Sequence, residues 1–269
     1  MVDEIFAVAH DIVVITGISG QLGHHYASAF LKRDARVLGL DLKASSFSTE
    51  LTTRHQGQFL FFPCDVTQVE SLRSALSMAR QVFGEPTVLI NNAAIDSPPN
   101  APIEETGPFE EYPDASWDRV MNVNVKGVYL ASKVFGSAMA ANRQGSIVNI
   151  SSIYGVVSPD QSIYEYRRQR GEIFYKPVAY AVSKSALLNL TRYLAVYWAR
   201  SGVRVNTLVI AGVENGQEAD FMKAYCARIP IGRMAAQDEY CGAVLFLASQ
   251  ASSYMTGAQL IIDGGWTAI

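Results

Sequence analysis

The chain has 269 residues, 49% apolar and 17% charged, the balance of a globular protein with a sizeable core. Its 22 basic and 25 acidic residues leave a formal charge of −3, which gives no electrostatic footing for nucleic acid or an anionic membrane surface. Cys64, Cys226 and Cys241 lie far apart without zinc or C-x-x-C spacing, so they read as buried thiols of a reducing compartment, with no metal site.

The N-terminal MVDEIFAVAHD lacks a basic segment ahead of an apolar core, so no signal peptide is expected and a cytoplasmic location is. No apolar run is long enough for a membrane span. Short β-branched runs follow, bounded by Gly, Asp or Asn: DIVVIT (11–16), RVLGLD (36–41), QFLFFP (58–63), TVLINN (87–92), GSIVNIS (145–151), VRVNTLVI (203–210) and AQLIID (258–263). Helical patterns lie between them, near 21–33, 67–83, 115–140, 178–200 and 237–249. This alternation predicts an α/β fold: a doubly wound parallel sheet of about seven strands with helices on both faces, in one domain spanning 1–269. Two segments break the rhythm, the Pro- and Glu-rich 96–113 and the Tyr- and Arg-rich 156–177.

The histidines are His10, His24, His25 and His55, and no G-x-S-x-G occurs, which argues against a serine hydrolase on such a sheet. After the first strand, TGISGQLG (16–23) places Gly17, Gly20 and Gly23 three residues apart. The loop is either a phosphate cradle at a helix N-terminus or an ordinary strand–helix corner. Asp41 ends the second strand 24 residues after Gly17, where an acid can accept hydrogen bonds from a ribose diol and repel a 2′-phosphate. Leu42 follows it and Lys43 is the only nearby cation, so NAD(H) is favoured over NADP(H). CDV (64–66) and NNAA (91–94) end the third and fourth strands, at the edge where such sheets bind ligands. Asp65 could bond an adenine amino group, with Val66 beside it. Asn91, Asn92, Ala93 and Ala94 offer small side chains and backbone groups near a ribose. In YAVSK (180–184), Tyr180 and Lys184 share one helical face, and an ammonium near a phenol favours the phenolate.

Together these stretches resemble the compact branch of the short-chain dehydrogenase/reductase family. They continue in family order through NVNVKG (122–127), SIVNISS (146–152), VRVN (203–206) and MTGAQLIIDGG (255–265). The resemblance implies Tyr180 as general acid/base, Lys184 as the partner that lowers its pKa and holds the cofactor ribose, and Ser152 as the group orienting the substrate oxygen. Asn124, ahead of Asn122, is implied to help hold a proton-relay water near Lys184, and Ser152 is a better match than Ser151. The cofactor is implied to contact Gly17, Ser19, Gly20, Gln21, Leu22, Gly23, Asp41, Leu42, Asp65, Val66, Asn92, Ala93, Ala94, Tyr180, Lys184, Gly212 and Val213. The implied activity is NAD(H)-linked interconversion of a secondary alcohol and a ketone, in a homotetramer or homodimer. A non-catalytic dinucleotide-binding sensor is the alternative.

The chain departs from the family at three places. The glycine loop carries Gln21 where a glycine is usual, and its side chain is expected to point outward. Ile210-Ala211 stands where Pro-Gly is common, leaving the backbone there less fixed. The 28 residues from Ser152 to Tyr180 are about double the family's usual spacing. The insertion offers Tyr164, Tyr166, Arg167, Arg168, Arg170 and Lys176, and is either a wall of the substrate pocket or a solvated loop or subunit contact. On the first reading Ser152, Tyr154, Tyr164, Arg167 and Arg168 bind substrate, with the arginines meeting a carboxylate or phosphate of a small, sugar-derived or anionic molecule. Leu187, Leu190, Leu194 and Trp198 form a stripe that faces either a second subunit or the chain's own sheet.

Overall fold

The computed structural model describes residues 4–96 and 103–269. Seven strands form one parallel sheet: β1 (Ile12–Thr16), β2 (Arg36–Asp41), β3 (Phe59–Pro63), β4 (Val88–Asn91), β5 (Gly145–Ser152), β6 (Val203–Ile210) and β7 (Gln259–Ile262). Their order is β3-β2-β1-β4-β5-β6-β7. Strand order reverses between β1 and β4, so the carboxyl ends of these strands frame the crevice where such sheets take ligands.

Alternation along each strand divides the core into two layers. Val13 and Ile15 of β1 pack with Tyr26 and Phe30 of α1 (Gly23–Leu31). Ile12 and Val14 face the opposite way, toward Leu72 and Leu76 of α3 (Val69–Val82). That second layer also takes Leu194 and Trp198 of α9 (Val178–Trp198), and Leu187 is buried as well. The leucine–tryptophan stripe therefore belongs to the chain's own sheet. The helix instead exposes Tyr193, Val196 and Tyr197.

Several elements were not foreseen. The helix α2 (Ser46–Arg54) is Thr-rich and presents little more than Leu51 to the core; a Ser45–Ser48 capping box starts it. The short helix α4 (Ile103–Thr106) lies in the first irregular segment, part of which falls outside the described residues. The helix expected over 115–140 runs from α5 (Asp114–Met121) through α6 (Val128–Ala131) to α7 (Ser137–Ala141), interrupted by π-helical Asn122–Gly127 and Ser132–Gly136. The insertion holds a 3₁₀ turn and α8 (Glu165–Gln169), and is bound to α10 (Ala219–Cys226). Arg170 bonds Glu218 and Asp220, Tyr166 bonds Glu218, and Arg228 pairs with Asp160. The last helix is α11 (Cys241–Ala248). Among the described residues no helix is long and apolar enough to cross a membrane.

A third apolar cluster stands at the carboxyl end of the sheet. It joins Ile153 and Tyr154 after β5, Ile163, Tyr164 and Phe174 of the insertion, Ala211, Tyr225, Ile229 and Met234 after β6, and Trp266.

Candidate active site

Two adjoining cavities lie at the strand ends. The first, of about 370 Å³, is lined by Gly17, Gly20, Gln21, Leu22, Asp41, Leu42, Asp65, Val66, Asn92, Ala93 and Ala94, all expected at a cofactor, together with Leu40, Cys64, Ile95 and Val123. Gly17 has φ +70°, and a Cβ there would fall 2.8 Å from the Ala93 Cα. A Cβ on Gly23 would meet the Gly17 carbonyl at 2.3 Å. Glycine at both positions lets the turn close against β4 and the helix start directly behind it. Gly23 thus supports the loop from outside the cavity lining.

The first cavity is cross-braced by polar groups. Thr16 Oγ1 accepts from the Asn92 and Ala93 amides at 3.1 and 3.0 Å, and Asn92 Nδ2 donates to the Thr16 and Gly17 carbonyls. Asp41 accepts from the Ser19 amide at 2.9 Å and from the Leu42 amide at 2.8 Å. Ser19 also donates its hydroxyl to the Lys43 carbonyl, so it holds Asp41 rather than lining the cavity. Asp65 accepts from the Thr67 amide and hydroxyl through one carboxylate oxygen. Asn91 is not at the cofactor face: its amide donates to Asn149 and Ser132 inside the sheet layer. A backbone-walled cradle ahead of a helix, with a carboxylate at the next strand end, fits a dinucleotide's pyrophosphate and ribose diol.

The second cavity, of about 340 Å³, brings Ser152 and Tyr180 together with Tyr154, Tyr164, Gly212 and Val213. Gln21 and Leu22 line both cavities, so the two meet at the glycine loop. Gln21 does not point outward. It donates across the seam to the Glu214 carbonyl at 3.0 Å, a partner 193 residues away.

Lys184 is buried and donates from Nζ to the Ile150 carbonyl at 2.9 Å, with Nζ 5.7 Å from the Tyr180 ring centre. Burial pulls its pKa down to about 8. Burial also pushes the Tyr180 phenol up, and the Asp96 carboxylate adds to this, while a hydrogen bond with Ser152 pulls it back. Desolvation thus outweighs the Ser152 hydrogen bond, and Lys184 is not among the groups that pull the phenol down, contrary to expectation. Ser151 donates to the Lys184 carbonyl and faces inward, which leaves Ser152 as the serine at the cavity.

Asn124 is 1% exposed and lies within the first π-helical turn. Its Oδ1 accepts from the Ile95 amide at 2.8 Å. Its Nδ2 donates to the Ile95 carbonyl at 2.9 Å and to Ser183 Oγ at 3.0 Å. With both ends of the amide engaged, the side chain is a clamp on Ile95.

Arg167 and Arg168 are not among the residues that line the cavity. Arg167 pairs with Glu172 and stacks on Phe174, with the guanidinium 4.4 Å from the ring centre. Arg168 bonds Glu165 and the carbonyls of Phe174 and Gln161. Both arginines hold the insertion in shape. Among the described residues, the cation that reaches the cavity is Lys176, paired with Asp96. Ile210 and Ala211, which stand where Pro-Gly is common, also line it, and the lining residues not foreseen are Phe174, Gln217, Phe221, Tyr225 and Met234. They come from segments far apart in sequence, and no local spacing marks them.

The backbone after β6 is fixed without proline. The Gly212 amide donates to the Tyr225 hydroxyl at 2.8 Å, Tyr240 donates to the Ala211 carbonyl at 3.1 Å, and Ala235 donates its amide to the Gly212 carbonyl while its carbonyl accepts from the Glu214 amide.

A family model described as enoyl-(acyl carrier protein) reductase matches residues 17–267. The chain is 33% identical to cis-4-hydroxycyclohexanecarboxylate dehydrogenase of Sinomonas cyclohexanicum, over 98% of this chain and 99% of that one. It is 30% identical to the NAD-dependent glycerol dehydrogenase of Listeria innocua, covering 98% and 97% of the two chains. A short-chain dehydrogenase from Leptospira borgpetersenii, solved with bound NAD+, superposes with a TM-score of 0.83 at 32% identity, covering 96% of this chain and 92% of that one. The sheet order, the glycine cradle, the Ser152–Tyr180–Lys184 cluster and these full-length similarities make this chain a member of the short-chain dehydrogenase/reductase family.

Proposed function

We infer that the protein is an NAD(H)-dependent oxidoreductase that interconverts a secondary alcohol and a ketone. The observation that carries this reading is the placement of Ser152 and Tyr180 in one cavity that adjoins the glycine-loop cleft. A bound oxidised nicotinamide supplies the hydride acceptor and a positive charge that favours the phenolate. In oxidation, Tyr180 Oη takes the proton of the substrate hydroxyl, and Ser152 Oγ hydrogen-bonds the same oxygen. In reduction Tyr180 returns the proton to the carbonyl oxygen. Lys184 places a titratable ammonium under the phenol, and Asn124 positions the chain at Ile95.

NAD is the preferred cofactor, because the Asp41 carboxylate at the end of β2 accepts ribose hydroxyls and repels a 2′-phosphate. The substrate is a small alcohol or polyol, in keeping with the glycerol-oxidising relative. Exposed Tyr193, Val196 and Tyr197 on α9 support association into a homodimer or homotetramer.

The test is the appearance of reduced nicotinamide with NAD, and separately with NADP, across a panel of secondary alcohols and polyols. Turnover is expected with NAD above NADP. Tyr180→Phe should lower kcat about a thousandfold while NADH binding survives. Activity that persists in Tyr180→Phe refutes the mechanism, and NADH binding without turnover of any alcohol supports a sensor.

A further inference from the structure

The cavity that holds Ser152 and Tyr180 is walled mainly by apolar and aromatic side chains, and one ion pair interrupts that wall. The Lys176 ammonium donates to the Asp96 carboxylate, a partner 80 residues away, and among the described residues these are the only charged groups lining the cavity. The Lys176 side chain is 10% exposed and that of Asp96 39%. Lys176 Nζ lies 5.0 Å from the Tyr180 ring centre, so the pair stands beside the phenol that moves the proton.

Both members project from clamped backbone. Gln161 accepts from the Lys176 amide at 2.9 Å and donates to its carbonyl at 3.2 Å. Asp96 follows Ile95, whose amide and carbonyl are both bound by Asn124. Two other polar lining groups are turned to the loop after β6: Tyr225 accepts from Gly212, and Gln217 bonds Val213 and Asn215.

We propose that Asp96 and Lys176 form the substrate-recognition pair of this site, reading a second hydroxyl on a neutral polyhydroxylated alcohol. The ammonium donates to that hydroxyl's oxygen and the carboxylate accepts its proton. The charges of the pair cancel. A substrate carboxylate would have to displace Asp96 from Lys176 and then face it. A hydroxyl, donor and acceptor at once, satisfies both without separating the charges. A mono-alcohol enters the same cavity and offers the pair no such hydroxyl.

The inference rests on the dehydrogenase reading, and a matched pair of probes separates the two. Butane-2,3-diol and butan-2-ol differ by one hydroxyl. Wild-type kcat/KM should favour the diol by about a hundredfold. Lys176→Met and Asp96→Asn should each bring that ratio below about tenfold, with the diol's loss mainly in KM. Should Lys176→Met fail to fold, Lys176→Arg keeps the charge, changes the donor geometry and should lower the ratio partway. Calorimetric titration of the diol into NADH-loaded protein reads binding without turnover, and should weaken at least about tenfold in the variants. Diol binding that is lost in the variants, in a wild type that turns over neither alcohol nor any member of the wider panel, sinks the dehydrogenase reading and sustains the pair. Equal turnover of both alcohols, or a ratio unmoved by the substitutions, sinks the pair and leaves the dehydrogenase standing.

Discussion

On the glycine-loop side of the cleft the walls are strand ends and backbone: Gly17 and Gly20, the Ala93–Ala94 turn, and a carboxylate held by two amides. On the substrate side they are side chains drawn from four separate segments, held by a private apolar cluster and by ion pairs between the insertion and the residues in and around α10. The first side presents groups that every dinucleotide needs, so its chemistry repeats from chain to chain. The second side is where one chain differs from another, and among the described residues its only charged groups are a single ion pair among aromatic rings. A cofactor site built from backbone tolerates little added volume, whereas a pocket built from side chains can be retuned one residue at a time.

The largest effect should come from attacking the backbone-built side. Gly23→Ala puts a Cβ within 2.3 Å of the Gly17 carbonyl and 2.8 Å of the Ile18 Cα, neither of which can turn aside. A loss of about 3 kcal/mol in stability is expected, together with a clear drop in NADH affinity. Chemical denaturation and fluorescence titration measure both, and an unaltered affinity would mean the loop is not a rigid cradle.

Lys184, between the two sides, comes next. Its folded pKa of about 8 lies below the ordinary 10.5. Between those values the unfolded chain binds more protons, so stability gains as pH rises. Tyr180 opposes this only above the ordinary tyrosine value of 10.0. From pH 8 to 10, wild type should therefore gain about 2 kcal/mol relative to Lys184→Met. Parallel stability curves for the two proteins over that range would show that the buried amine is not perturbed.

Gln21→Gly should have the smallest effect. It removes one exposed bond between the two sides, worth about 1 kcal/mol or less, and NADH affinity should change only modestly. A large gain in affinity would show instead that Gln21 obstructs the cofactor loop and that the sides compete.

Local pattern determined much of this protein. Seven short β-branched runs became seven parallel strands within a residue or two of their expected bounds; the five inner strands are buried and read as continuous apolar runs, while β3 and β7 at the edges are only partly covered. The positions of the glycine loop, Asp41, Tyr180 and Lys184 were legible for a related reason, since each sits at a strand end or on one helical face where sequence spacing converts directly into position, whereas Ser152 stood out only through the family resemblance. Tertiary structure alone decided the rest. Arg167 and Arg168 stood out as cations in a loop over the site, yet their charges are satisfied within the insertion. Lys176 and Asp96 are 80 residues apart and meet where Gln161 and Asn124 hold the backbone at Lys176 and Ile95. Gln21 looked like a solvent-facing departure until the segment after β6 brought the Glu214 carbonyl to it. Spacing along the chain reports which way a side chain leaves its own strand or helix; which distant group neutralises it depends on folding, because a desolvated charge or amide takes whatever partner the packed chain brings within reach.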